Sequence, residues 1–167
     1  MRVLLVGMMG AGKTTVGRLL ASRLGWPYWD SDAQVERATG HTTAELFAAG
    51  GEPAFRTLET DALRQALAAR TDEVVSVAGG AVLDPANRRL LRRSGTVVWL
   101  RADPATLAAR VGDGAGRPLL EGDPAGALRR LDAVRRPLYA EVADVVVDVD
   151  RLTPEEVAER VLAEVTP

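Results

Sequence analysis

The chain has 167 residues, a net charge of −2 and no cysteine. That length suits one domain able to bury about 70 % of its unfolded surface. The charge gives no basic field for nucleic acid, the absence of thiols excludes a disulfide scaffold or thiolate zinc site, and no segment approaches membrane-spanning length.

The first element is Val3-Leu4-Leu5-Val6, a short apolar run fit for a buried parallel strand and far too short for a signal peptide. A soluble, cytoplasmic protein is the expectation. Gly7-Met8-Met9-Gly10-Ala11-Gly12-Lys13-Thr14 follows, a complete G-x-x-x-x-G-K-[ST] phosphate loop, and Val16, Leu19, Leu20 and Leu24 then recur at helical spacing up to Gly25. Strand, Gly-rich turn and helix in that order aim backbone N–H groups and a helix N-terminus at bound phosphate. A chance match arises in roughly one chain in a hundred or fewer. Lys13 is the only lysine among 21 cationic side chains. A composition so biased toward arginine would use it wherever a generic cation suffices. Reaching between β- and γ-phosphates needs a compact ammonium on a flexible stem, and the one lysine falls there. Gly10, Ala11, Gly12, Lys13, Thr14 and Thr15 are therefore expected to bind a nucleoside triphosphate.

A second strand, Pro27-Tyr28-Trp29, leads into Asp30-Ser31-Asp32. In open parallel sheets ligands gather at the strands' carboxyl ends, so both carboxylates should face the phosphate site. One could approach Mg²⁺ through water while the other reaches an acceptor hydroxyl; the Thr14 hydroxyl and one nearby carboxylate suffice for that metal. The rival reading, a cap for a helix beginning near Ala33, accounts for one aspartate and leaves the other. Residues 31–70 read as two or three helices, with a capping box at Thr42 and Glu45 and an apolar face of Leu58, Ala62, Leu63, Ala66 and Leu67. His41 reads as a surface residue. Phe55 and Arg56 open the long helix, and Glu59 lies one turn on. The Arg–Glu spacing fits a solvated helix contact equally well as a brace holding the guanidinium for a substrate carboxylate.

A third strand, Val74 to Val77, ends in Ala78-Gly79-Gly80. Two glycines there allow close approach to the backbone and leave N–H groups free, although a plain turn also fits. Asp84-Pro85, Asp103-Pro104 and Asp123-Pro124 each mark a helix start, as does the Thr153-Pro154-Glu155-Glu156 box; Val97 to Leu100 and Val145 to Val149 are the remaining strands. Residues 112–124 hold four glycines and two prolines, and read as an ordinary surface loop or, as the length favours, a lid that excludes water. Arg135-Arg136 should close the helix begun near Pro124, as dipole-complementing charges or as a second anion clamp. Either Arg110 or the Asp148–Pro154 link could flank a purine. Five strands alternating with helices indicate an α/β protein with a mostly parallel sheet covered on both sides.

In order, the phosphate loop, the D-S-D at Asp30 to Asp32, Glu52-x-x-Phe55-Arg56, the strand-end glycines, Arg117-Pro118-Leu119-Leu120 and Arg135-x-Pro137-Leu138-Tyr139 resemble the shikimate kinases along almost the whole chain. The phosphate loop is generic; the other elements together are far more specific. The resemblance implies a P-loop NTPase of nucleoside-monophosphate-kinase-like, three-layer fold, with a five-stranded parallel sheet in the order 2-3-1-4-5. It implies one kinase domain over residues 1–167, a substrate-binding helical region at about 31–60 and a lid at about 112–124. It further implies ATP-dependent phosphorylation of the shikimate 3-hydroxyl in aromatic amino-acid biosynthesis, with Mg²⁺, by a monomer with no membrane partner. On that resemblance Lys13 would neutralise the β/γ-phosphates, and Thr14 and Asp30 would serve the metal. Asp32 would be the base, Arg56 and Arg135 would grip the substrate carboxylate, and Glu59 would orient Arg56. Gly79 and Gly80 would contact the substrate ring, with Phe47, Phe55, Pro118 and Leu119 as its apolar wall. Arg117 would swing in with the lid, Arg110 and Pro154 would sandwich adenine, and Arg151 would add a nucleotide contact. Related chains usually carry a third glycine where Ala78 stands, so its methyl could narrow the sugar-ring pocket or be absorbed by a small shift. The rival readings are a gluconate kinase of the same fold and a non-catalytic P-loop binding protein.

Overall fold

A computed structural model of the chain describes residues 1–165. Strands β1 (Arg2–Val6), β2 (Tyr28–Asp30), β3 (Glu73–Ser76), β4 (Thr96–Arg101) and β5 (Val145–Asp148) form one parallel sheet in the order β2-β3-β1-β4-β5. Leu4 of β1 stands opposite Val75 on one side and Val97 on the other, and every residue of β1 and β3 is buried. That burial is why the strands read as continuous apolar runs without alternation. Pro27 lies outside β2, having no N–H to donate, although its carbonyl accepts from Val74 N at 3.0 Å.

Among the described residues six α-helices lie between the strands and a seventh follows β5: α1 (Lys13–Leu24), α2 (Ser31–Thr39), α3 (Thr43–Ala68), α4 (Pro85–Ser94), α5 (Pro104–Val111), α6 (Pro124–Val142) and α7 (Pro154–Val165). Helix α1 packs on α7 and against β1 and β3, while α4 and α6 pack together against β4. The core includes Leu5, Leu63, Leu91, Leu100 and Leu128, all with no exposed surface. A smaller cluster of Val35, Phe55 and Ala62, joined by Phe47 and Leu58, holds α2 to α3. Among the described residues no helix is long and apolar enough to cross a membrane.

The anticipated caps form at Asp84, Asp123, Thr42 and Thr153. Asp103 differs: its side chain makes no cap bond, and its N–H instead donates to Asp150 Oδ1 at 2.9 Å. The region between β2 and β3 forms α2 and α3, with α3 broken at Gly51 (φ 73°, ψ 179°) so that Phe55 and Arg56 lie just beyond the break. Helix α6 runs on to Val142, two turns past Arg135 and Arg136, so the reading of these arginines as helix-end charges fails. Arg136 instead pairs with Asp132 at 2.9 Å and donates to the Ala102 carbonyl.

Candidate active site

The carboxyl ends of β2, β3 and β1 lie side by side and open into a cavity of about 380 Å³. Gly10, Gly12, Lys13, Thr14, Thr15, Asp30, Asp32, Phe47, Phe55, Arg56, Glu59, Gly79, Gly80, Arg117, Pro118, Leu119 and Arg135 all line it, which places most of the anticipated site in one space. Ala11, Arg110, Arg151 and Pro154 do not. Ala11 is buried within the loop, its N–H turned onto Met8 O at 3.1 Å. Arg110 donates to the carbonyls of Gly10 (3.1 Å) and Val149 (3.3 Å), joining the phosphate loop to the end of β5. Arg151 and Pro154 are exposed.

The phosphate loop depends on glycine at Gly12, the left-handed residue (φ 98°) that starts α1. Lys13 Nζ folds back to donate to the carbonyls of Gly7 (2.8 Å) and Met8 (3.1 Å). Burial, with a smaller contribution from Arg135 and Arg117, lowers its pKa to about 8 against the opposing pull of Asp32 and Asp30. Among the described residues no carboxylate forms an ion pair with it, so the ammonium would gain most from an incoming anion.

Asp30 caps α2 and also reaches the phosphate loop. Its Oδ1 accepts from the N–H groups of Asp32 (3.1 Å) and Ala33 (3.2 Å), capping α2, while Oδ2 accepts from Thr14 Oγ1 at 3.1 Å. Thr14 thus spends its proton on Asp30 and turns its oxygen lone pairs toward the cavity. That hard-oxygen arrangement fits Mg²⁺. No cluster of three or more potential metal-ligating side chains occurs among the described residues, so the remaining ligands would be phosphate and water. Asp32, freed from capping, projects into the cleft. The surrounding walls raise its pKa, opposed by Lys13. Its side chain remains open to the cleft.

Arg56 is braced on both sides. Nη1 donates to both Glu59 oxygens at 2.9 and 3.0 Å, while Nη2 and Nε donate to Glu52 Oε1 at 3.1 and 3.3 Å. Glu59 is only 2 % exposed, and burial raises its pKa against the pull of Arg56. The solvated-contact reading of this pair is therefore excluded. Glu52 belonged to the recognised motif without a role; its i, i+4 spacing to Arg56 was the available signal. A β-carbon on Gly80 would lie inside the Arg56 guanidinium, so the group that approaches this backbone closely is the protein's own arginine.

Arg135 is the opposite case. It is 1 % exposed, its Nε has no hydrogen-bond partner, and among the described residues it forms no ion pair. Tyr139, one turn along α6, lies beside it and donates its hydroxyl to Gly79 O at 2.7 Å. A buried cation left without a counter-ion is costly, and its presence on a cavity wall points to an anionic ligand.

In the 112–124 segment all four glycines have positive φ and Pro118–Leu120 forms a single 3₁₀ turn. Leu120, with no exposed surface, anchors it to the core, while Gly116, Arg117, Pro118 and Leu119 face the cavity. The Ala78 methyl is not on that surface: the residue is buried and its N–H donates to Ser31 Oγ at 2.8 Å. The missing third glycine therefore does not narrow the pocket. Ser76 and Tyr28, which carried no sequence signal, complete a polar network beneath Asp30.

A shikimate kinase family model matches residues 9–166. The shikimate kinase of Symbiobacterium thermophilum is 49 % identical over 165 residues, spanning 97 % of this chain and 94 % of that one. A solved structure of shikimate kinase from Acinetobacter baumannii in complex with shikimate aligns with a TM-score of 0.94 at 38 % identity, covering 98 % of this chain and 91 % of that chain. A gluconokinase from Sinorhizobium meliloti reaches a TM-score of 0.67 at 24 % identity, covering 98 % and 90 %, a likeness of fold alone.

Proposed function

The chain belongs to the shikimate kinase family, and from that membership we propose how its own residues divide the work. It transfers the γ-phosphoryl group of ATP to the 3-hydroxyl of shikimate, giving shikimate 3-phosphate on the route to chorismate and the aromatic amino acids. The observation that carries the residue assignment is buried Arg135, without an ion-pair partner among the described residues, sharing one cavity with Lys13 and Asp32. Phosphoryl transfer asks for positioning and charge neutralisation more than covalent chemistry, and this cavity offers both.

Lys13 exchanges the carbonyls of Gly7 and Met8 for the β- and γ-phosphates, which the loop from Gly10 to Thr15 cradles. Thr14 and Asp30 would hold Mg²⁺, which when bound neutralises phosphate charge. Arg135 and the braced Arg56 grip the shikimate carboxylate, with Phe47, Phe55, Pro118 and Leu119 along the ring and Gly79 and Gly80 beneath it. Asp32 accepts the proton of the 3-hydroxyl as its oxygen bonds to the γ-phosphorus and the bond to the ADP oxygen breaks. Arg117 stabilises the charge on the transferring group as residues 112–124 close over it as a lid. Arg110, Arg151 and Pro154 attend the adenine side. The enzyme acts as a cytoplasmic monomer.

Coupled measurement of ADP release with shikimate and gluconate side by side, with Mg²⁺ and then with EDTA, tests this reading. Metal-dependent turnover on shikimate is expected. Turnover on gluconate alone, or ADP release that needs no acceptor, would overturn it.

A further inference from the structure

The Asp30 carboxylate has a second side-chain partner that the mechanism leaves unused. Besides Thr14, the Tyr28 hydroxyl lies 3.1 Å from Oδ2, and it is also 2.9 Å from Ser76 Oγ, which in turn is 3.0 Å from the Lys13 carbonyl. Two hydroxyl protons must serve three contacts. If Ser76 donates to Lys13 O and Tyr28 to Ser76, the ionised Asp30 oxygen faces a bare phenol oxygen and is repelled. If Tyr28 donates to Asp30, Ser76 either donates to Tyr28, leaving no conflict, or donates to Lys13 O, leaving one lone-pair contact between the two neutral hydroxyls; Tyr28 donates to Asp30 in both. The Lys13 carbonyl, in the first turn of α1, still has its own helical N–H partner. The second arrangement is therefore favoured, and it makes Asp30 Oδ2 the acceptor of two hydroxyls.

The phenol cannot readily leave. Its ring lies against Gly17, where a β-carbon would come within 2.5 Å of Cε2, and the Arg18 guanidinium sits over it at 5.9 Å.

We propose that Tyr28 is a positioning residue for the metal–nucleotide corner: through Asp30 Oδ2, and held by Ser76, it fixes the orientation in which Thr14 presents its hydroxyl oxygen to the cavity. The inference rests on the assignment of Thr14 and Asp30 to Mg²⁺ given above.

The test is binding rather than turnover. ADP affinity is measured by titration calorimetry at saturating Mg²⁺ and in EDTA, and the quantity read is the ratio of the two dissociation constants. Tyr28→Phe keeps the ring and removes the hydroxyl. The ratio should fall about 10-fold, the scale of one hydrogen bond to a charged group. ADP affinity in EDTA and shikimate affinity should stay within about twofold. A residue that merely fills space would shift the melting temperature and leave the ratio alone, and an unchanged ratio overturns the proposal. Ser76→Ala provides a second arm that leaves the ring in place, with a fall in the same direction expected; it decides the matter if Tyr28→Phe folds poorly. Thr14→Val separates the two layers of the argument. If it abolishes the metal-dependent gain while Tyr28→Phe and Ser76→Ala do not reduce it, only the role of Tyr28 is lost. If Thr14→Val itself keeps the full ratio, the metal assignment fails and this inference with it.

Discussion

Replacing Arg135 by methionine should make the free protein no less stable while nearly abolishing shikimate binding. The side chain is 1 % exposed, has no ion-pair partner among the described residues, and leaves Nε without a hydrogen bond. Exchanging such a group for an apolar one of similar length relieves a desolvation cost, a gain of about 1–2 kcal/mol, or roughly 2–8 °C in Tm for a chain of this size. In the complex the same guanidinium would face a carboxylate in a dry site. Removing one partner of a buried charge pair costs about 3–4 kcal/mol, so the shikimate KM should rise about 10²- to 10³-fold. A melting experiment reads both effects. At about 100 times Kd, shikimate should stabilise the unaltered protein by about 2.7 kcal/mol and the variant at the same concentration hardly at all. Arg56→Met should act with the opposite sign on the free protein, because it strands buried Glu59 without its partner and should cost about 1–3 kcal/mol. An Arg135→Met protein that melts more than about 5 °C lower yet keeps its shikimate KM within threefold would refute the reasoning. Arg135 would then be a structural post.

Asp32→Asn should lower kcat by about 10²-fold or more with ATP binding retained, since only the acceptor base is lost; undiminished turnover would discard that role. Gly80→Ala should raise the shikimate KM about 10-fold and cost about 1–3 kcal/mol. The backbone there (φ −85°) tolerates any residue, but the added methyl drives the braced Arg56 guanidinium off buried Glu59, so an unchanged KM would show that Arg56 need not sit where it does. For Lys13 the folded pKa of about 8 lies below the unfolded 10.5. The unfolded chain therefore binds more protons between those values, and the lysine's contribution to stability rises with pH across that window and is lost below about 8. Phosphate restores the charge, so ADP binding at about pH 8.5 should be accompanied by net proton uptake in calorimetry run in two buffers of different ionisation enthalpy. Lys13→Arg, whose cation does not titrate, should show none. Tyr139→Phe should raise the shikimate KM several-fold and leave the ATP KM alone, because it frees Gly79 O beside Arg135; parallel changes in both constants would mark a general loosening.

Much of this architecture is legible in the chain because the relevant signals are local. The runs at Val3–Val6 and Val74–Val77, the Asp-Pro helix starts and the glycine spacing of the phosphate loop each report a backbone state within a few residues. What failed depended on tertiary context. Pro137 and two adjacent arginines looked like a helix end, yet α6 continues to Val142, with Tyr139 buried on Trp99 and bonded to Gly79. Asp103 has the sequence of a cap, but a loop distant in sequence takes its N–H. The Tyr28–Ser76 pair joins residues 48 apart through two hydroxyls, which no periodicity encodes.

The deeper limit concerns charge, and it explains why counting arginines says less than seeing how they are paired. Arg56, Arg110, Arg117 and Arg135 look alike along the chain. In the fold Arg56 is answered by two glutamates and Arg110 by backbone carbonyls, whereas no ion pair forms at Arg117 or Arg135 among the described residues. Lys13 joins the unanswered set, holding only carbonyl oxygens. A braced guanidinium brings geometry to a ligand and little net field; an unbraced one brings field that the protein itself does not neutralise. The unanswered cations stand on different walls of one cavity: Lys13 in the phosphate loop, Arg117 in the 112–124 segment and Arg135 on α6. A single anion at the loop would leave Arg135 unserved, and a single anion at Arg135 would leave Lys13 on its carbonyls. Two anionic groups, one at Lys13 and one at Arg135, would complete the charge of this cavity, and among its lining carboxylates Asp32 is the one without a capping or bracing hydrogen bond. A phosphoryl donor and a carboxylate-bearing alcohol meet that requirement together.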